Sequence, residues 1–317
     1  MMLYFVASSC CGSMTQACKR RATVKLSRAQ ERNSARWFGY ALWIALSLAL
    51  FARPLIWLIH FALQNGDASH ILLIPAISAW LIYLDRQTVF RRLSSDIHGT
   101  VFLFFVAAFF YLWTMWSGAN WTLTSRLTGY ALALVLFWIS GFPLFFGRPA
   151  LQNARFSLLF LFLAVPLPEF LLNCIVLVLQ KGSAEITAAL FDLIGVPFLR
   201  EGFVFHLARA NIEVARECSG IRSSMALLIL ALLVAHFRLK SSWKKVLFVT
   251  CGLLMMIIKN GIRIATLTLL AMYVDPGFLT GKLHHQGGIV FFLLGLLFLL
   301  PVLLLLQRSE RQECPAT

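Results

Sequence analysis

Apolar runs dominate the chain, at about 38–63, 70–84, 99–116, 121–146, 157–179, 219–236, 246–273 and 289–306, separated by short polar or basic stretches. A helix needs roughly 20 apolar residues to cross ~30 Å of hydrocarbon, so most of these runs can span a membrane. The second is short for a straight crossing and predicts a tilted or partly re-entrant segment. The fifth carries Pro166-Leu167-Pro168-Glu169, whose missing backbone donors predict a broken helix. One stretch changes period. Phe203, Phe205 and Leu207 alternate with other residues, Ala208-Arg209-Ala210-Asn211 interrupts, and Ile212 and Val214 alternate again. Period-two patterning about a polar turn predicts a short hairpin on the membrane surface, leading directly to Cys218. The pattern predicts an all-α polytopic membrane protein of about eight transmembrane helices with that hairpin on its outer face.

Composition agrees. Hydrophobic residues make up 60% of the 317 positions and charged residues only 13%, with a mean hydropathy of +0.80. A soluble domain of this length could not bury so much apolar surface. The formal charge of +15 raises nucleic acid as a partner. The basic residues instead sit in short clusters between apolar runs, as membrane loops do, with no motif for reading bases. Seven cysteines without CxxC spacing argue against a disulfide framework or a zinc cage.

Charge orders the runs into a topology. Residues 1–36 hold Lys19, Arg20, Arg21, Lys25, Arg28, Arg32 and Arg36 against one acid, Glu31, and predict a disordered basic cytoplasmic arm. Met1–Ala7 is too short to span and lacks the charged start of a signal peptide. A membrane domain over 37–307 follows, then a tail over 308–317 with Arg308 and Arg311. Alternate connections carry Arg86, Arg91 and Arg92, then Arg148 and Arg155, then Arg238, Lys240, Lys244 and Lys245. The opposite ones hold no Lys or Arg in 64–69, Arg126 alone in 117–126 and Lys282 alone in 274–288, while 180–217 is mixed. The positive-inside rule then predicts cytoplasmic termini, with 180–218 and 274–288 facing outward.

Three polar clusters stand where lipid would disfavour them, and such residues tend to serve function. Glu217-Cys218-Ser219-Gly220-Ile221-Arg222-Ser223-Ser224 opens the sixth run. A thiol at a helix start feels the positive end of the macrodipole, and Arg222, one turn on, adds a positive charge; both favour the thiolate. Lys259-Asn260-Gly261-Ile262-Arg263 lies in the seventh run. Arg263 stands about 26 Å from Val246 at ~1.5 Å per residue, near the outer boundary, with Asn260 on the same face turned toward protein. Lys259 is deeper and is expected to pack against carbonyls or a carboxylate. His284-His285 precedes the last run. An inert core cysteine, a snorkelling arginine and an incidental histidine are the ordinary readings of each residue alone. Thiol, imidazole and guanidinium brought to one plane instead suit acyl transfer.

The run Cys218-Ser219-Gly220-Ile221-Arg222, then Asn260-Gly261-Ile262-Arg263, then His284 four residues before Gly288, resembles the bacterial exosortases and their archaeosortase relatives. Ser69-His70-Ile71-Leu72-Leu73-Ile74-Pro75-Ala76-Ile77-Ser78 looks like the family's N-terminal motif, and Pro166-Leu167-Pro168 and Glu201-Gly202 look like its middle portion. The resemblance covers about 65–306. It implies a membrane-embedded cysteine transpeptidase that cleaves C-terminal sorting signals of exported proteins through a thioester, with no cofactor and no metal. Those signals comprise a short motif such as Pro-Glu-Pro, an apolar span and a basic cluster. The family's nucleophile falls on Cys218, its arginine on Arg263 and its histidine on His284, with Arg222, Asn260, Ser219 and His285 beside them. Machinery associated with exopolysaccharide is a further expected partner.

Two other readings compete. A non-enzymatic transporter or export subunit would line a polar path with Lys259, Arg263 and the broken fifth helix, but no internal inverted repeat is present. A metal or haem site would use His284, His285 and Cys218, although adjacent histidines rarely share one ion comfortably.

Overall fold

The computed structural model describes residues 34–208, 211–214, 221–279 and 288–313. Its helices are α1 (Ser34–Leu50), α2 (Ala52–Gln64), α3 (Ile74–Leu84), α4 (Arg86–Val89), α5 (Ile97–Ser117), α6 (Leu123–Phe146), α7 (Arg148–Asn153), α8 (Arg155–Phe160), α9 (Glu169–Ile194), α10 (Ile221–Arg238), α11 (Ser242–Tyr273) and α12 (Gly288–Glu313). Strands β1 (Phe198–Glu201), β2 (Val204–Leu207) and β3 (Asn211–Glu213) separate α9 from α10. Seven helices among the described residues are long and apolar enough to cross a membrane, or eight if the bent pair α1–α2 is one span. The chain is an all-α polytopic membrane protein. Residues 1–33, most of the expected basic arm, lie outside the described residues.

Proline explains two irregularities. The α1–α2 pair bends by 79° just ahead of Pro54, whose ring excludes the carbonyl four residues back and which has no N–H to donate. Pro166 and Pro168 end the short apolar helix Arg155–Ala164, and Pro168 is the N-cap of α9 with extended backbone. The fifth run is therefore divided: Arg155–Ala164 spans only about 15 Å, too little to cross alone.

The expected outer connection over 180–217 is corrected at its start. Residues 180–194 are the second half of α9, which has 26 residues. Polar side chains that lowered the hydropathy there are met by protein instead of water. Gln180, Ser183 and Thr187 are buried, and Glu185 pairs with Arg200 of β1 at 2.9 Å. Gly195, in the left-handed region at φ 77°, ends the helix, and the Val196 N–H returns to Phe191 O at 2.9 Å.

The expected hairpin is present. Phe205 pairs with Ile212 and His206 with Asn211 in an antiparallel register. A further strand, β1, joins it and completes a three-stranded meander. Glu201 opposes Val204, so the β1–β2 turn holds two residues. Gly202, at φ 61°, supplies the conformation such turns demand.

Two compact units make up the fold, one holding the described residues of Met1–Phe61 and Ile71–Pro166, the other those of Ala62–His70 and Leu167–Thr317. In the first, α1 is fastened to α6: Trp43 Nε1 donates to Phe137 O at 3.0 Å and Trp138 Nε1 to Ser47 Oγ at 2.7 Å. Ser78 of α3 donates to Ser157 O at 2.6 Å. In the second, α11 packs along α9, α10 and α12. Its 32 residues extend about 48 Å, more than hydrocarbon requires. The surplus turns carry Ile264, Ala265 and Met272, which share a core with Ala184 and Phe191 of α9 and Phe205 and Leu207 of β2. The sheet thus packs on α9 and α11 where they continue past the polar residues of the candidate site. At the other end of α11, its N-cap Ser241 makes no side-chain cap. Glu310 of α12 accepts instead from the N–H groups of Lys240 (3.0 Å) and Ser241 (2.8 Å), and buried Lys244 donates to Ser309 Oγ at 3.1 Å.

Candidate functional site

Of the residues singled out by sequence, Arg222, Asn260 and Arg263 are described, whereas Cys218, Ser219, His284 and His285 lie outside the described residues. Their surroundings are built on the second unit, and α9 is its reference element. Gln180, Ser183 and Thr187 fall at spacing i, i+3, i+7, one face of a helix, and all are buried.

That face holds α11. Asn260, 1% exposed, donates through Nδ2 to Ser183 Oγ at 3.0 Å. Thr187 Oγ1 donates to Ser183 O at 2.8 Å and approaches Gly261 O at 3.3 Å. The two backbones touch closely. A Cβ on Gly261 would stand 2.5 Å from Ile186 Cγ2 and 3.1 Å from the Ser183 carbonyl oxygen, so any side chain there would force the helices apart. Small residues and short polar bonds are what bring membrane helices together. Asn260 is thus turned into protein as expected. Arg263, one turn on, is half-buried.

The same face of α9 holds the chain that leads toward Cys218. Gln180 Nε2 donates to Val214 O, and the Val214 N–H donates to Phe203 O at 2.9 Å. Val214 is fully buried and precedes Cys218 by four residues. The anchor of the cysteine segment and the anchor of Arg263's helix therefore stand one turn apart on α9.

On the far side of Cys218, α10 begins at Ile221. Arg222 is exposed, and its Nη1 is 3.2 Å from where a Cβ on Gly66 would stand. Gly66 opens a 3-10 segment, Gly66–Leu72, that contains Asp67, Ser69 and His70; Ser69 Oγ closes on Gly66 O at 2.9 Å. The start of the N-terminal motif is thereby set beside the first turn of α10. Lys259, 2% exposed, departs from expectation. Its Nζ donates to Ser223 Oγ of α10, a hydroxyl and not a carbonyl or carboxylate.

Sequence reasoning missed Gln180, Ser183 and Thr187. They were legible as a polar stripe at helical spacing, but ending the fifth run at residue 179 made them loop residues. Ser223 lay within the polar cluster that opens the sixth run, without a role of its own.

A family model for transmembrane exosortases matches residues 62–301, three quarters of the chain. The chain belongs to the transmembrane exosortase family. That match takes in both arms around Cys218, the whole of α11, and His284 and His285. No curated protein and no solved structure matches this exosortase. The family fixes the setting as a multi-pass membrane protein.

Proposed function

We propose that this exosortase is a cysteine transpeptidase of the bacterial inner membrane that cleaves exported proteins between a short C-terminal motif and the apolar span behind it. The observation that supports it best is the shared anchoring on α9. Val214, which leads to Cys218, and Asn260, which precedes Arg263, are fixed to Gln180 and Ser183 respectively. The chain four residues ahead of Cys218 and the helix turn ahead of Arg263 thus share one face of α9, which supports a common site for the two.

In this mechanism the Cys218 thiolate attacks the scissile carbonyl carbon. The carbonyl oxygen takes up the electron pair, and Arg263 stabilises that oxyanion or the thiolate before it. The tetrahedral intermediate collapses, the C–N bond breaks, and His284 protonates the departing amine. A thioester then joins the exported protein to Cys218, while the span and basic cluster leave. His284 next takes a proton from an incoming amine or water, which attacks the thioester and restores the thiol. Arg222 adds positive charge one turn from the sulfur.

The reaction is checked by co-expressing a fusion protein that ends in Pro-Glu-Pro, an apolar span and a basic cluster, then measuring the mass of its new C-terminus. A product shortened to the motif, free or joined to an amine, is expected. An intact C-terminus in the presence of the enzyme would sink the assignment.

Orientation is part of the proposal, with Cys218 periplasmic and both termini cytoplasmic, because alternate connections are rich in Arg and Lys. Because α9 runs through residue 194, exposed Glu201 beside the β1–β2 turn is the position at which to label the outer connection. In a background with the native cysteines replaced, Glu201→Cys should react with an impermeant maleimide on intact spheroplasts. Arg92→Cys and Lys240→Cys should react only after lysis. Protection of Glu201→Cys until lysis would put the sheet, and the chain entering Cys218, on the wrong side for an exported substrate.

A further inference from the structure

Lys259 takes no part in the acyl transfer above, yet it is buried inside a membrane-spanning helix. An ammonium in that setting is costly to desolvate, and a methionine would fill similar volume without the cost. Arg263 follows at i+4 on the same helix, so a second cation stands one turn away, an unfavourable pairing on its own. Packing gives no reason for the amine. Its stem passes Gly295 of α12, where a Cβ would stand 3.6 Å from Lys259 Cδ and 3.7 Å from Leu227 of α10; an apolar chain would fit that gap as well. The polar end is directed. Nζ donates to Ser223 Oγ, in the first turn of α10, one residue past Arg222 and five past Cys218. Asn260, the next residue, bonds the opposite way, to Ser183 of α9.

We propose that Lys259 is a positioning residue of the transpeptidase site: through Ser223 it locks the first turn of α10, which leads out of Cys218, against the turn of α11 that carries Arg263. This rests on the reading of Cys218 as nucleophile. The adjacent bonds from Lys259 and Asn260 make α11 a splint between α9 and α10. Each polar bond is strengthened by the absence of competing water. The amine touches no substrate; it sets the distance between thiol and guanidinium, and small misplacements of such groups are expensive in rate.

The test uses the full-length enzyme in proteoliposomes with the Pro-Glu-Pro fusion as substrate. Lys259→Met should lower kcat by at least about tenfold with KM changed less than about twofold, the signature of lost transition-state geometry. Its thermal unfolding midpoint should hold or rise, since a desolvated amine has been removed. Ser223→Ala should fall similarly in kcat, and Ser223→Thr, which keeps the hydroxyl, should recover most of the loss. The double variant Lys259→Met with Ser223→Ala should be no worse than the poorer single, because both remove one bond. A Lys259→Met enzyme with normal kcat would overturn the proposal. So would additive losses in the double variant, or a fall in kcat accompanied by an equal fall in thermal stability. Cys218→Ala run alongside separates the two levels: activity there removes the transpeptidase reading itself. A dead Cys218→Ala beside an active Lys259→Met removes only the positioning role.

Discussion

Cys218→Ala is expected to leave a co-expressed substrate full length and membrane-bound while the enzyme itself accumulates normally. The change deletes one sulfur between two independently anchored stretches, Val214 on one side and α10 on the other, so neither anchor depends on it. Loss of a covalent nucleophile ordinarily costs about 10³-fold or more. Cys174→Ala and Cys251→Ala should process substrate normally. Cys174 lines an apolar cleft of about 380 Å³ with Leu167, Ile175 and Met225, and Cys251 is half-buried in α11; in both places a thiol is a small hydrophobe. His284→Ala should resemble Cys218→Ala, whereas His285→Ala retains substantial activity. The reverse pattern would shift the histidine assignment by one residue. Processing by Cys218→Ala, followed by immunoblot and mass measurement, would replace thiol chemistry with the export-subunit reading.

Arg263→Lys should lose about a hundredfold in kcat, the cost typical of a missing oxyanion donor, although the charge is kept. A guanidinium presents a planar fork of donors, and an ammonium presents three donors around a point. Asn260, Gly261 and the α9 contact are untouched by this change, so helix placement stays as it was. Rates measured over a range of substrate concentrations decide the matter. Near-normal turnover by the lysine variant would mean that positive charge alone suffices.

Most of the membrane architecture could be read from the chain because it follows from local order. Apolar runs gave the spans, Pro166 and Pro168 gave the break in the fifth, and period-two residues gave the β2–β3 hairpin, whereas the bend ahead of Pro54 in the first run went unread. Failures arose where partners distant in sequence changed what a residue needs. Gln180, Ser183 and Thr187 look like loop residues until α11 and Val214 supply their bonds. β1 holds Arg200 and Glu201, and charge concealed its pairing with β2. For Asn260 the face was legible and the partner was not, since nothing local marks Ser183 as its acceptor. Lys259 was expected to need an anionic or carbonyl oxygen, yet a serine hydroxyl on the neighbouring helix meets it. Cys218, His284 and His285 were singled out by topology and motif and lie outside the described residues.

The cap on α11 bears on the order in which the enzyme is made. Glu310 accepts the N–H groups of Lys240 and Ser241, yet it leaves the ribosome some 70 residues after them. Until α12 has been inserted, the start of α11 has no such acceptor, and the helix bearing Asn260 and Arg263 can fray from that end. A nascent chain halted before Glu310 therefore carries every proposed catalytic residue without the clamp that steadies one of their helices. The start of α11 is thus secured only once the Glu310 turn of α12 has formed, so the two helices must be in the membrane together before that end is closed.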